Sequence, residues 1–181
     1  MSEAEAVAEM ATARMQLRRL AWSDLDALIE LDADPEVMRF ISGGLPNSRE
    51  VYERELMPRM LAWTDQPYGF FSAWFEAAFV GWFHLRPSVA DPSMLELGYR
   101  LRRAVWGLGL ASEGGRHLVR LAFDRLGQQA VDACTHPENL ASMRVMQKCS
   151  MSEVSPFVHP RVGIEVRRFM VTREAYERRH W

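Results

Sequence analysis

Arg102-Arg103-Ala104-Val105-Trp106-Gly107-Leu108-Gly109-Leu110-Ala111-Ser112-Glu113 decides the architecture, because it carries a strand-like run through a glycine turn into a helix. Gly107 and Gly109 lack Cβ atoms, so the turn can enter positive-φ conformations and bring its amides close to a ligand. The helix that follows begins with unpaired N–H groups and the positive end of its dipole. An anion, above all a phosphate, is the implied guest. No third glycine or alanine follows at the spacing of a dinucleotide fingerprint, and no Gly-Lys-Ser/Thr follows as in a Walker loop, so neither nucleotide fold fits. A G-x-G turn also serves ordinary strand-to-helix connections, so the neighbouring segments must carry the rest.

Upstream, Met94 to Leu101 alternates as a strand, with Leu95, Leu97, Tyr99 and Leu101 on one face and Glu96, Gly98 and Arg100 on the other. Before it, Tyr68 to Phe75 and Ala78 to Leu85 are aromatic and β-branched about Glu76-Ala77, which predicts an antiparallel hairpin. Nearer the start, Thr12 to Ala21 reads as an edge strand, and Ser23-Asp24 opens a helix through Asp32. Asp34-Pro35 opens a short helix ending at Ser42-Gly43-Gly44-Leu45-Pro46, and Ser48 caps a third running to about Thr64. Downstream, Ala111, Gly114, Leu118, Leu121 and Ala122 recur at helical spacing up to Phe123, with Leu126-Gly127 as the stop. The pair Gly114-Gly115 costs helix stability and so points to close packing. Gln129 to Thr135 reads as a strand and Pro137 to Cys149 as a helix. Ser152 to Val158 and Ile164 to Thr172 form a closing hairpin, followed by a short helix from Thr172 to Arg179.

The chain of 181 residues suits one domain over 12–181 after a flexible segment, 1–11. A formal net charge of −2 gives no general attraction to nucleic acid or anionic membranes. Cys134 and Cys149 are too few for a disulfide framework and have no neighbours at metal-ligand spacing, so no metal site is expected and both read as packing residues. The acidic, alanine-rich start and the lack of an apolar run near 18 residues give a soluble, cytoplasmic reading.

Three ordered motifs then identify a resemblance: Glu96-Leu97-Gly98-Tyr99, the stretch from Trp106 to Glu113, and Asn139-Leu140-Ala141-Ser142-Met143-Arg144-Val145-Met146-Gln147-Lys148. Together they resemble the GNAT acetyltransferases, and within them the branch of RimJ/RimL-type ribosomal-protein N-terminal acetyltransferases. Asp34-Pro35-Glu36-Val37-Met38 and the closing hairpin fit as well, so the resemblance spans Thr12 to Arg173. It implies an α/β GNAT fold: a mixed, mostly antiparallel sheet with helices on both faces, splayed between the strand ending at Leu101 and the strand from Gln129. Acetyl-CoA would lie in the opening as cosubstrate, its pyrophosphate on the amides of Leu108 to Ser112. The implied cofactor contacts are Leu97, Gly98, Tyr99, Arg102, Arg103, Trp106, Gly107, Leu108, Gly109, Leu110, Ala111, Ser112, Asn139 and Ser142. In two places the chain departs from the family pattern: Ala104 stands where glutamine or arginine is usual, and Ser150 where the second helix usually stops at glycine.

Acetyl transfer to an amine requires a neutral amine, a stabilised oxyanion and a protonated leaving thiolate. The family transfers directly, in a ternary complex. By resemblance Glu96 is the first candidate base, acting through water, with an ion pair to Arg100 as its plain alternative. His84 is the second, with a packed core histidine as the alternative. Ser142 is the candidate acid at the thioester sulfur, although Asn139 and Ser142 also suit a helix cap. A backbone N–H near Leu97-Gly98 would meet the oxyanion. Phe71, Trp63, Trp74 and Trp82 line either the acceptor pocket or the core, and the acceptor is drawn to 40–46, the helix from Ser48 and the loop at His159-Pro160-Arg161. The expected acceptor is a primary amine on a protein N-terminus or a small molecule, with antibiotic or polyamine detoxification, or a non-catalytic acyl-CoA sensor, as the competing functions. A homodimer is the expected assembly.

Overall fold

The computed structural model describes residues 9–178. An eight-stranded sheet runs in the order β1-β2-β3-β4-β5-β6-β8-β7, with β1 Glu9–Ala11, β2 Met15–Arg19, β3 Gly69–Phe75, β4 Ala78–Pro87, β5 Leu95–Leu101, β6 Ala130–Thr135, β7 Ser152–Val158 and β8 Glu165–Thr172. Neighbours pair antiparallel throughout, except for β5 and β6, which run parallel. The expected leading strand is thus two: Glu9–Ala11, assigned above to the N-terminal segment, pairs with β2. A hydroxyl made the difference, since Thr12 accepts the Met15 amide at 2.9 Å and folds the chain back within three residues. The rest of that segment, 1–8, lies outside the described residues.

Alternation in the strands supplies two faces. Leu17, Phe71, Ala73, Phe83, Leu85, Leu95, Leu97, Val131, Ala133 and Phe169 lie on one, covered by α4 (Leu110–Arg120, running on through Leu121–Arg125) and α5 (Leu140–Lys148). Phe70, Trp74, Phe79 and Trp82 lie on the other, under α1 (Leu25–Asp32), α2 (Pro35–Ser42) and α3, in which Arg49–Val51, Tyr52–Leu56 and Met57–Leu61 follow one another. The chain closes with α6, Arg173–Glu177, capped by Thr172. Helix starts are set by the residues the sequence offers: Asp34 caps α2, Ser48 caps α3 and Asn139 caps α5.

The close packing implied by Gly114-Gly115 is present. A Cβ on Gly114 would stand 2.6 Å from Phe83 Cε1, and one on Gly115 would stand 2.7 Å from Cys149 Sγ. These glycines let α4 lie flat on β4 and β5, which aims its N-terminus at the edge of the sheet's opening. Ser150, which replaces the expected glycine after α5, takes φ 63° and keeps the left-handed helix stop at the cost of backbone strain. Ser150→Gly should therefore stabilise the fold by about 0.5–1 kcal/mol, the relieved strain exceeding the added freedom of the unfolded chain. Urea denaturation of the two proteins measures it.

Candidate active site

Strands β5 and β6 pair only at Leu95 with Val131 and Glu96 with Asp132, and then diverge. From Leu97 onward, the backbone edge of β5 facing β6 has no ladder partner, and it borders a cavity of about 630 Å³ that runs between β5, α4, the 135–142 connection and α2. The parallel pair is joined by a crossover through α4, whose first turn lies beside the point where the two strands separate.

The glycine turn lies at this opening. Gly107 and Gly109 take φ 79° and 82°, and Gly109 is the residue immediately before α4. Trp106, Gly107, Gly109, Leu110, Ala111 and Ser112 line the cavity. The turn is anchored from far away in the chain by Arg14, whose Nη1 donates to the Leu108 carbonyl at 3.0 Å and whose Nε pairs with Glu113 at 2.7 Å. This positions the first-turn amides of α4 without any basic residue at Ala104.

At the opposite wall, direct cross-strand register assembles a polar floor on the sheet face shared with α1 to α3. His84 lies opposite Gly98, Arg86 opposite Glu96 and Trp82 opposite Arg100. Glu96 is 5% exposed and His84 6%. Arg86 Nη2 donates to Glu96 Oε1 at 2.7 Å, the Val89 amide reaches Oε2 at 3.4 Å, and His84 Nε2 stands 3.4 Å from Oε1. Burial pushes the His84 pKa down, so the imidazole is neutral at pH 7. Burial works the other way on Glu96, but the contacts from His84, Arg86 and Val89 outweigh it and hold the carboxyl below its ordinary range. The imidazole lies flat across Gly98, where a Cβ would be 2.5 Å from Nε2, between Trp82, stacked at 5.6 Å, and the edge of Phe70 at 4.9 Å.

On the α5 side, Asn139 Oδ1 accepts the Ser142 amide at 3.1 Å, and Tyr99 Oη donates to Ser142 Oγ at 3.1 Å. Burial pushes the Tyr99 phenol up to about 12, so it keeps its proton. Asn139 is therefore a helix cap and a cavity wall at once.

Of the residues expected at the cofactor, Leu97, Gly98, Tyr99, Trp106, Gly107, Gly109, Leu110, Ala111, Ser112, Asn139 and Ser142 border the cavity, as do Glu96 and His84. Leu108 does not, since it points outward and offers only its carbonyl to Arg14. Arg102 and Arg103 do not either: Arg102 forks onto Glu30 with two contacts of 2.8 Å, and Arg103 pairs with Asp34 at 3.1 Å. Their charge is spent on α1 and on the start of α2. Arg100 turns to the fully buried Asp32, which also accepts from Tyr52 and Asn47, and leaves Glu96 to Arg86. Sequence reasoning missed Arg86, Arg14, Arg144 and Lys148. The first two depend on strand register and a long-range contact, whereas Arg144 and Lys148 stood in the quoted motif at i,i+4, one turn apart on the cavity side of α5. Among the described residues Phe71 is core, Trp82 borders the cavity and Trp74 packs under the α1–α3 layer; His159 and Arg161 lie outside the cavity lining. Burial pushes both cysteine thiols up to about 12, so neither is a nucleophile at neutral pH.

A sheet splayed at the one parallel pair among the described residues, with a helix N-terminus at the gap, offers a groove for an extended anionic ligand between two strands. Comparison with known proteins agrees: the sequence pattern described as Acetyltransferase (GNAT) domain matches residues 14–152. A protein of Aspergillus fumigatus named FsC-acetyl coenzyme A-N(2)-transacetylase is 34% identical, over 92% of this chain and 77% of its own length. A Bacillus licheniformis uncharacterized N-acetyltransferase p20 is 27% identical over 78% of this chain and 81% of its own. Among solved structures, a GNAT-family acetyltransferase of Bacillus anthracis superposes with TM-score 0.75 at 21% identity, covering 92% of this chain and 99% of that one. AAC(6')-Ib in complex with Parmomycin and AcetylCoA does so with TM-score 0.79 at 19% identity, covering 93% and 98%. The chain belongs to the GNAT acetyltransferase family. It is an acetyl-CoA-dependent N-acetyltransferase, with acetyl-CoA as cosubstrate.

Proposed function

We propose that the protein transfers the acetyl group of acetyl-CoA to a primary amine of a small molecule, by direct attack in a ternary complex. The observation that carries this reading is the cavity itself, which continues from the first-turn amides of α4 past the unpaired edge of β5 to the His84–Glu96 floor. The small-molecule acceptor draws support from the Aspergillus fumigatus relative, whose name specifies transfer to N(2) of FsC. A protein N-terminus is the second acceptor, favoured by the motif order that resembles the RimJ/RimL branch.

In this reading the pyrophosphate rests on the amides of Gly109 to Ser112. Since Arg102 and Arg103 are engaged elsewhere, Arg144 and Lys148 supply the cations for the cofactor's phosphates; neither has a carboxylate partner among the described residues. Arg144→Gln with Lys148→Gln should weaken acetyl-CoA binding about tenfold, and the slope of Kd against salt should shrink, as calorimetry at two ionic strengths will show.

His84 takes the amine proton, being neutral and carrying an Nδ1 with no partner among the described residues. Glu96, neutralised by Arg86, orients the imidazole and steadies its charged form. The amine nitrogen bonds to the thioester carbon, the oxyanion meets the β5 backbone near Leu97-Gly98, and the C–S bond breaks. Ser142 passes a proton to the departing thiolate while taking one from Tyr99, which regains its proton from solvent as the products leave. Thiol release over a panel of small amines and N-terminal peptides tests the acceptor, and peptide-only turnover would overturn the small-molecule reading. His84→Gln should lower kcat by about 10²- to 10⁴-fold. It should also alter stability. With its folded pKa depressed, His84 stabilises the protein above the ordinary value of 6.5, and that contribution fades as pH falls below it, because the unfolded chain then takes up the proton first. The parent should accordingly lose stability below pH 6.5 more steeply than the variant in urea titrations.

A further inference from the structure

Glu113 is an anion in the first turn of a helix that offers its amides to an anion. Its own N–H bonds to the Gly109 carbonyl at 3.0 Å, so the carboxylate is carried one turn from the glycine that precedes α4. By itself a carboxylate there suits the positive end of the helix dipole. A pyrophosphate resting on the amides of Gly109 to Ser112 meets the same charge as a repulsion.

That charge is answered from the far edge of the sheet. The turn between β1 and β2 brings three donors: Thr12 Oγ1 and the Arg14 amide, the latter at 2.8 Å, bond to Glu113 Oε1, and Arg14 Nε bonds to Oε2 at 2.7 Å. Burial acts to raise the Glu113 pKa, but the bonds from Thr12 and Arg14 outweigh it and hold the carboxyl below its ordinary range. The same guanidinium reaches the glycine turn. Its Nη1 donates to the Leu108 carbonyl at 3.0 Å, and its Nη2 comes within 3.6 Å of the point a Cβ would take on Gly109. One side chain, Arg14, thus stands between the carboxylate and the turn, neutralising the first and fixing the second. β1 is a three-residue edge strand with few ladder bonds of its own, so the bonds to Glu113 tie the hairpin to α4.

We propose that the 12–14 turn is a charge lock on the cofactor site: docked, Arg14 cancels Glu113 and sets the glycine turn for the pyrophosphate; undocked, the bare Glu113 carboxylate repels it. This rests on the reading that places the pyrophosphate at the start of α4. Arg14 and Glu113 are positioning residues in it, acting on affinity for the cofactor and not on the transfer step. Linkage makes the lock reciprocal, so bound acetyl-CoA tightens the docking of the hairpin by the factor that docking adds to its affinity.

The experiment compares the full chain as parent, Arg14→Gln, Glu113→Gln and the double variant, by calorimetric titration with acetyl-CoA at two salt concentrations and by amide exchange over β1. Arg14→Gln should weaken acetyl-CoA binding about 10-fold or more, and adding Glu113→Gln should bring the affinity back to within about threefold of the parent, because the repulsion leaves with the carboxylate. Salt should narrow the gap between Arg14→Gln and the parent. The KM for acetyl-CoA should rise in Arg14→Gln with kcat within about twofold of the parent. Acetyl-CoA should slow exchange at Glu9–Ala11 severalfold in the parent but not in the double variant. A double variant that binds as weakly as Arg14→Gln overturns the lock, since a merely structural loss is not repaired by removing a second partner. Exchange at Glu9–Ala11 that is indifferent to acetyl-CoA in a parent that binds it overturns the lock as well. A parent that does not bind acetyl-CoA overturns the cofactor placement itself.

Discussion

Gly98→Val should abolish most of the transferase activity, lowering kcat by about 10²- to 10⁴-fold, the range lost with a positioned general base. The cause is steric and local. A Cβ at 98 would stand 2.5 Å from His84 Nε2 and 3.2 Å from Nδ1, far inside contact distance. The imidazole cannot swing aside, because Trp82 stacks on it and Phe70 meets it edge-on. Its contact with Glu96 is broken and the ring is displaced from its place in the cavity wall. The side chain enters on the His84 side of β5, away from the α4 amides proposed to hold the phosphates, so the Kd for acetyl-CoA should change by no more than a few-fold. Gly98→Ala should fall between the two proteins. Steady-state kinetics with calorimetric cofactor binding separates these effects, and an unaltered kcat in Gly98→Val would remove His84 from the mechanism.

Gly109→Val should have the largest effect on the cofactor. At φ 82° a β-branched residue is strained by roughly 1–2 kcal/mol or more, and the turn relieves the strain by reorienting the amides that begin α4. Affinity for acetyl-CoA should fall about 10- to 30-fold. Space is not the issue, since the nearest atom to a Cβ there would be Arg14 Nη2 at 3.6 Å. Arg103→Ala, in contrast, should leave Kd within about threefold, because that guanidinium is held by Asp34 away from the cavity. The reverse ranking would mean that side-chain charge, not backbone geometry, binds the pyrophosphate.

The local elements were legible because each rests on chemistry within a few residues. The glycine turn, the caps at Asp34, Ser48 and Asn139, and the two-residue turn at Glu76-Ala77, where both residues take positive φ, depend on neighbours in sequence. Period-two alternation likewise placed Glu96 and Gly98 on one face of β5. What the alternation could not say was which residue of the next strand stands opposite. Glu96 and Arg100 share a face four residues apart, which made an ion pair between them the plain alternative. In the fold Arg86 lies directly across from Glu96, while Arg100 is drawn to the buried carboxylate of Asp32 on α1. Arg102 and Arg103, adjacent to the turn in sequence, are similarly captured by Glu30 and by Asp34.

The sequence by itself thus determined the family fold, the glycine turn and the residue types at the cavity, since dihedral preference, capping and hydrophobic period are properties of short segments. The tertiary structure alone decided how those side chains are used: that His84 is packed neutral over Gly98, that Glu96 is neutralised by Arg86, that Arg14 anchors the turn, and that Arg100 is paired with the buried Asp32. Charge pairing and desolvation act through space between residues far apart in the chain, and strand register and helix docking fix which of them meet.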